Sequence, residues 1–213
     1  YGDIRQSEDR LLIPAYGPDG TIATYQTIGP DGGKMFMTGG KMSATFFTIP
    51  GATSTIYVCE GYATGASIRE ATGNEVIVAF NAGNLLKIAP ILRKKYGQRI
   101  IFAADNDRHS PTNTGVQAAA ASAANIGASY IAPTFKGDAG TDWNDLASQE
   151  GIEAIRAQLA IVESSFPLSR VDSLQVKEID WLVKDYIESD SISLIFGEPG
   201  CGKSFIAISM ACC

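Results

Sequence analysis

Three carboxylates stand where chemistry is possible. Glu60 closes the apolar run Thr55–Cys59, and Asp105 and Asp107 follow the run that starts at Arg99 and ends at Ala104. Asp105 and Asp107 are two apart, so from extended backbone their side chains point to the same side. Carboxylates gathered in one place repel one another unless protons or a cation intervene. Hard oxygen donors with no Cys among them suit Mg²⁺ or Mn²⁺ rather than zinc. A second acidic group, Asp138 with Thr141-Asp142-Trp143-Asn144-Asp145-Leu146, follows the run Ser129–Ala132. Asp142 reads equally as a metal ligand and as a helix N-cap, with Asp145 three positions on. The single histidine, His109, is read as a surface residue.

A different chemistry lies near the end of the chain. Gly197-Glu198-Pro199-Gly200-Cys201-Gly202-Lys203-Ser204 meets G-x-x-x-x-G-K-[ST] at every specified position. Gly197, Gly200 and Gly202 let backbone N–H groups approach phosphate at a helix N-terminus. Lys203 is placed to reach the β- and γ-phosphates of ATP, and Ser204 to ligate Mg²⁺. The context fits: Ser191–Phe196 reads as a strand and Phe205–Cys212 as a helix. The residues after Ser204 supply no acid-bearing strand, so this ATPase unit is expected to be incomplete here.

These residues need a scaffold, and the pattern describes one. Up to residue 50 the chain reads as short strands: Leu11–Ala15, Thr21–Ile28, Lys34–Met37 and Ala44–Ile49. Between them lie the turn compositions Gly17–Gly20, Gly29–Gly33 and Gly39–Gly40. From residue 51 strands alternate with helices. Thr55–Cys59, Val76–Phe80, Arg99–Ala104 and Ser129–Ala132 are strand runs, and the segments between the first three and after Asn113 repeat at helical spacing. Pro90 is expected either to kink the second helix or to start a new one. The class is therefore α/β: a parallel four-stranded sheet flanked by helices and preceded by a small β-rich subdomain. In such a sheet ligands bind beyond the carboxyl ends of the strands. Glu60, Asp105 and Asp107 are thereby delivered to one edge, as is the group after Ser129–Ala132. Val176, Ile179, Val183 and Ile187 suggest a further amphipathic helix.

Composition narrows the classes. The chain has 213 residues, 45% of them hydrophobic, with no apolar run long enough for a membrane span. Its net charge of −6 argues against a simple basic DNA-binding module. It leaves room for an enzyme whose acidic cluster holds cations, which invert the local field. Cys59, Cys201, Cys212 and Cys213 form no C-x-x-C pair and read as reduced thiols of a cytoplasmic protein. The chain opens at Tyr1 rather than Met, which is expected of a fragment boundary.

Four blocks resemble one family in order. Val58-Cys59-Glu60-Gly61-Tyr62-Ala63-Thr64-Gly65-Ala66-Ser67-Ile68 is similar to the first motif of the Toprim domain in phage and plasmid DNA primases. Val78-Ala79-Phe80-Asn81-Ala82-Gly83-Asn84-Leu85 resembles the next block, Ala103-Ala104-Asp105-Asn106-Asp107 the D-x-D, and Asp142–Leu146 the closing acidic motif. The β-rich stretch resembles the subdomain that precedes Toprim in these primases. The likeness covers the chain to about residue 148. It implies a primase core, with Glu60 as general acid/base or metal ligand, and Asp105, Asp107, Asp142 and Asp145 around Mg²⁺ or Mn²⁺. Ribonucleotides would be the substrates and single-stranded DNA the template, with a helicase domain continuing beyond residue 213. Two departures stand out. Replicative bacterial primases carry an acid where Thr64 stands, and their last acidic pair is D-x-D, whereas here Asp142 is followed by Asn144 and Asp145.

The expected divisions are a β-rich subdomain over 1–50, a Toprim catalytic domain over 51–148, a helix and linker over 149–173, and the start of a P-loop ATPase domain over 174–213. Lys34, Lys41, Arg5 and Arg10 are candidates for template phosphates, and Phe46 or Phe47 for stacking on a base. The alternatives are a Toprim-type nuclease or topoisomerase-like enzyme, and an inactive Toprim module that only binds partners.

Overall fold

The computed structural model describes residues 3–164, 181–183, 187–188 and 198–204. The chain forms two compact units, residues 1–165 and 166–213.

The first unit opens with an antiparallel meander of β1 (Arg5–Ser7), β2 (Arg10–Tyr16), β3 (Ile22–Ile28) and β4 (Lys34–Phe36). The Gly17–Gly20 and Gly29–Gly33 turns connect β2 to β3 and β3 to β4, with Gly20 and Gly32 at positive φ. One face of the meander packs inward: Ile13 and Ala15 are fully buried, opposite Gln26 and Thr24. Strand β1 is exposed at every residue and has no apolar alternation to announce it.

Strands β5 (Phe47–Ile49), β6 (Ala52–Cys59), β7 (Asn74–Val78), β8 (Arg99–Ala103) and β9 (Ser129–Ile131) make a five-stranded sheet in the order β5-β7-β6-β8-β9. The four strands β6 to β9 are mutually parallel, as expected. The fifth, β5, comes from the stretch read as β-rich subdomain and pairs antiparallel with β7. Helices α1 (Tyr62–Thr72), α2 (Ala82–Lys95), α3 (Thr114–Ile126), α4 (Trp143–Glu150) and α5 (Ile152–Ser164) complete the unit. Two apolar layers result. Ile68, Trp143, Leu146, Ile155 and Leu159 pack with one face of the sheet, and Leu85, Ile88, Leu92 and Ala119 with the other. Covered on both faces, β6, β7 and β8 read as continuous apolar runs rather than alternating ones. Helix α2 passes Pro90 without interruption, with the proline on its exposed side.

In the second unit β10 (Trp181–Val183) pairs antiparallel with β11 (Ile187–Glu188). Val183 and Ile187 thus lie on facing strands, which corrects the helix expected from their spacing. The expected linker beyond Ser164, the strand Ser191–Phe196 and the helix Phe205–Cys212 lie outside the described residues.

Candidate active site

Strands β6 and β8 are neighbours, and both end at the same edge of the sheet. Glu60 leaves β6 there, and Asp105 follows β8 after Ala104. Helix α1 packs close beneath because Gly65 has no side chain: a Cβ there would stand 3.0–3.1 Å from Val78, Cys59 and Ile49. On the other flank α3 approaches the Asp105 backbone through Gly115, where a Cβ would lie 2.5 Å from the Asp105 carbonyl oxygen.

The segment after β9 is stitched to this edge. The Asn106 N–H donates to Thr141 O (2.6 Å), and its side-chain amide donates to Pro133 O (2.9 Å) while accepting from Asn113 (2.9 Å). Arg108 Nη2 donates to Gly137 O and Ala139 O, each at 2.8 Å, with its guanidinium 5.0 Å from the Phe135 ring centroid. Trp143, fully buried, donates its indole N–H to Ala104 O (3.1 Å). Ser67 Oγ donates to Asn144 Oδ1 (3.1 Å), which ties α1 to α4. Asp142 caps α4 by accepting from the Asp145 N–H at 2.8 Å, and Asp145 reaches back to the Thr141 N–H at 2.8 Å. Satisfying orphan N–H groups in this way fixes the start of α4.

The electrostatics show which acids meet. Burial and then the charge of Asp107 raise the Glu60 pKa, while the Ala82 backbone N–H donated to its carboxylate and the Lys34 ammonium pull it down. Asp105 is pushed up to about 8, first by burial, then by Glu60, Asp142 and Asp107. Glu60 Oε1 and Asp105 Oδ1 are buried with no hydrogen-bond partner. Glu60, Asp105, Asp107 and Asp142 therefore feel one another at one edge, whereas one Asp145 oxygen is engaged by Thr141. Among the described residues no three His, Cys, Asp or Glu side chains close on a single point. Orphaned, mutually repelling carboxylate oxygens are what a divalent cation satisfies, so the donor set fits Mg²⁺ or Mn²⁺.

Lys34 belongs to this edge, which its sequence position did not reveal. Its Nζ lies 3.5 Å from where a Gly61 Cβ would stand, and its charge opposes the rise of both the Glu60 and Asp105 pKa values. Strand β4 reaches there because Phe36 stacks edge-on against Phe80 at 5.4 Å, with Phe80 itself at φ 72°. Asn84, nearly buried, holds the neighbouring segment. It accepts from the Ala44 N–H (2.8 Å) and donates to Thr45 O (2.6 Å) and Ala79 O (2.9 Å), while Ala44 sits at φ 61°.

The other candidates scatter. Arg5 lies on the exposed strand β1, and Lys41 is exposed with its charge near Asp19. Phe46 and Phe47 are only 6% and 2% exposed, so both are core residues rather than stacking platforms. His109 is exposed, as expected, and bonds Asp138 O through Nε2 at 2.8 Å. In the second unit Gly200 and Gly202 have φ of 85° and 86°, a turn that glycine favours, and Lys203 Nζ donates to Glu198 O (2.6 Å). Ser204 is exposed, and Gly197 lies outside the described residues.

Residues 55–153 match the family model of the Toprim domain, and residues 161–213 match that of an AAA domain. The chain is thus similar to a Toprim domain in its middle part and to an AAA domain in its last part. Two DNA primases TraC of Escherichia coli are similar to it, one 35% identical over 136 residues and the other 33% over 140. Those matches take in 59% and 61% of this chain but only 9% and 13% of the relatives' length. The primase fragment of the bacteriophage T7 primase-helicase shares the fold at a TM-score of 0.55 and 15% identity, over 73% of this chain and 66% of that one. The DnaG catalytic core does so at 0.51 and 14%, over 75% and 57%. The resemblance to the Toprim domain of phage and plasmid primases, first drawn from four motif blocks, therefore stands.

Proposed function

We propose that residues 3–164 form the catalytic core of a DNA primase that joins ribonucleotides on a single-stranded DNA template. The observation that carries this reading is the pair of buried, unpartnered oxygens, Glu60 Oε1 and Asp105 Oδ1, at the ends of adjacent parallel strands. Their place within the stretch that matches the Toprim model, and the similarity to DNA primases, support it.

Joining nucleotides requires removing a proton from a 3′-hydroxyl and stabilising charge on phosphorus as pyrophosphate departs. Glu60, with its pKa raised by burial and by Asp107, is suited to accept that proton. Asp105 and Asp107 are the residues that hold Mg²⁺ or Mn²⁺, with Asp142 beside them and Asp145 fixing Asp142 through the α4 cap. When bound, the metal supplies activation of the hydroxyl and charge neutralisation at phosphate. Lys34 adds a positive charge beside the carboxylates. The remaining work is positioning, which dominates phosphoryl transfer. It falls to Trp143, Asn106 and Ser67, which hold the acidic segments in place. The P-loop at 197–204 is assigned to ATP as the beginning of a motor unit, consistent with the AAA-domain match; the chain itself is assigned to the cytoplasm.

The test is incubation with single-stranded DNA, labelled ribonucleotides and Mg²⁺ or Mn²⁺. Short new oligonucleotides that vanish with Glu60→Gln support the proposal. Shortened template points to a nuclease instead, and neither product leaves a binding module.

A further inference from the structure

Asp107 belongs to no regular element. Strand β8 ends at Ala103 and α3 begins at Thr114, so the turn that carries Asp107 has to be fastened from outside. Within the turn, the Arg108 N–H donates to Asn106 O and the Ser110 N–H to Asp107 O, each at 2.7 Å. The outside fastening comes from the loop 134–141. That loop is itself tied to the helices behind it: the Thr134 N–H and C=O both bond the Gln158 side-chain amide, at 2.9 and 2.8 Å, and the Lys136 N–H donates to Glu150 at 2.8 Å.

Arg108 joins the turn to this fixed loop. One of its nitrogens, Nη2, donates to both Gly137 O and Ala139 O at 2.8 Å, drawing two alternate carbonyls together. The guanidinium carbon lies 5.0 Å from the centroid of the Phe135 ring. Gly140 rests against the same ring, where a Cβ would come within 2.4 Å of it, and its φ of 94° also requires glycine. The loop is thus wound about one guanidinium at Phe135, Gly137 and Ala139. A planar fork that stacks and bonds at once does this; an ammonium does not. The Arg108 Nε is covered and has no hydrogen-bond partner. Covered donors normally find acceptors, so this one is left unpaired by a geometry that serves the other edge of the fork. The cation that bears on Glu60 and Asp105 is Lys34, whereas the Arg108 charge meets carbonyl dipoles.

We propose that Arg108 is a positioning residue for Asp107: by gathering the loop 134–141 around its guanidinium, it fastens the turn that presents the Asp107 carboxylate to Glu60 and Asp105. Asn106 flanks Asp107 on the other side and is anchored to Thr141 O and Pro133 O, so Asp107 stands between two fixed residues. This inference rests on the reading of the acidic edge as a metal site.

The test uses the whole chain with Arg108→Ala, Arg108→Lys and Phe135→Leu. In the metal-free protein, Arg108→Ala should speed exchange of the Asn106 and Ser110 amides by about tenfold or more while those of Ile101 and Phe102 in β8 stay as they were. Mn²⁺ affinity by calorimetry should fall about 10- to 100-fold, as it does when the residues that hold a metal's ligands are lost. The Mg²⁺ needed for half-maximal primer synthesis should rise by the same factor, and millimolar guanidinium, which refills the space, should reverse part of the loss. Arg108→Lys should recover little of it, and Phe135→Leu, which keeps the fork but removes the ring, should show the same selective exchange with a smaller loss of affinity. Unchanged Mn²⁺ affinity in both Arg108→Ala and Phe135→Leu overturns the proposal. So does full recovery by Arg108→Lys, which would make charge the cause, and so does exchange that speeds equally in β8, which would make Arg108 a general support of the fold. Wild-type protein that makes no primers, beside an Arg108→Ala variant that binds Mn²⁺ more weakly than it does, sinks the primase reading and upholds this one.

Discussion

Asp105→Asn should make the metal-free protein more stable while removing its hold on divalent ions. The Asp105 carboxyl is pushed up to about 8 in the folded chain, from an ordinary value of 3.8, by burial and by three neighbouring carboxylates. The sign follows from linkage. The folded state keeps this proton more tightly than the unfolded state, so the stabilising contribution is complete below pH ~4 and is lost as pH rises through about 8. At pH 7 the unfolded carboxyl has ionised across roughly three pH units that the folded one has not, at ~1.4 kcal/mol per unit, or about 4 kcal/mol. A buried asparagine amide left without a partner takes back about 1 kcal/mol. The net gain is about 3 kcal/mol, or roughly 6–10 °C in the melting temperature of a unit this size. The assay is thermal unfolding of both proteins in EDTA at pH 5, 7 and 8.5. The wild type should lose stability steadily across that series and the variant should not; Mn²⁺ should restore only the wild type. A variant less stable than wild type in EDTA at pH 7 or 8.5 would refute the reasoning, because it would make Asp105 a structural carboxylate with satisfied partners.

Four further outcomes are expected. Glu60→Gln should lower primer synthesis by at least ~100-fold, as expected for loss of a general base, without loss of thermal stability. Gly115→Ala should place a methyl 2.5 Å from the Asp105 carbonyl oxygen, destabilise by about 1–3 kcal/mol as overpacking does, and reduce synthesis through displacement of Asp105. Trp143→Phe should cost about 1 kcal/mol in urea denaturation, because the Ala104 carbonyl loses its indole donor. Mn²⁺ affinity measured by calorimetry should rise with pH up to about 8, with proton release to the buffer, because Asp105 must ionise to bind.

Much of this architecture is written in periodicity. The buried parts of β6, β7 and β8 are covered on both faces, and their apolar runs locate these strands to within three residues at either end. Gly73 and Gly127, both in the left-handed conformation, stop α1 and α3 where the pattern stops. The carboxylates were legible because the strand ends were. What escaped depends on partners distant in sequence. Strand β5 joins the large sheet because Phe47 and Ile49 pair with β7, which no local pattern states. Strand β1 is polar throughout, so only its pairing with β2 defines it. Val183 and Ile187 repeat as a helix would, yet they are partners across two antiparallel strands, a pairing that spacing along the chain does not state. Lys34 looked like one of several isolated cations. Its place beside Glu60 comes from Phe36 meeting Phe80, forty-four positions later. Asp142 read as ligand or cap, and the structure shows the cap while leaving its charge acting on Asp105.

The central claim is that Glu60 and the Asp105–Asp107 pair share a divalent cation. Crystals soaked in Mn²⁺ and measured at the manganese absorption edge test it most directly. An anomalous peak bonded to Glu60 Oε1 and Asp105 Oδ1 is the predicted result; a well-occupied peak elsewhere, with these two oxygens unligated, would contradict it.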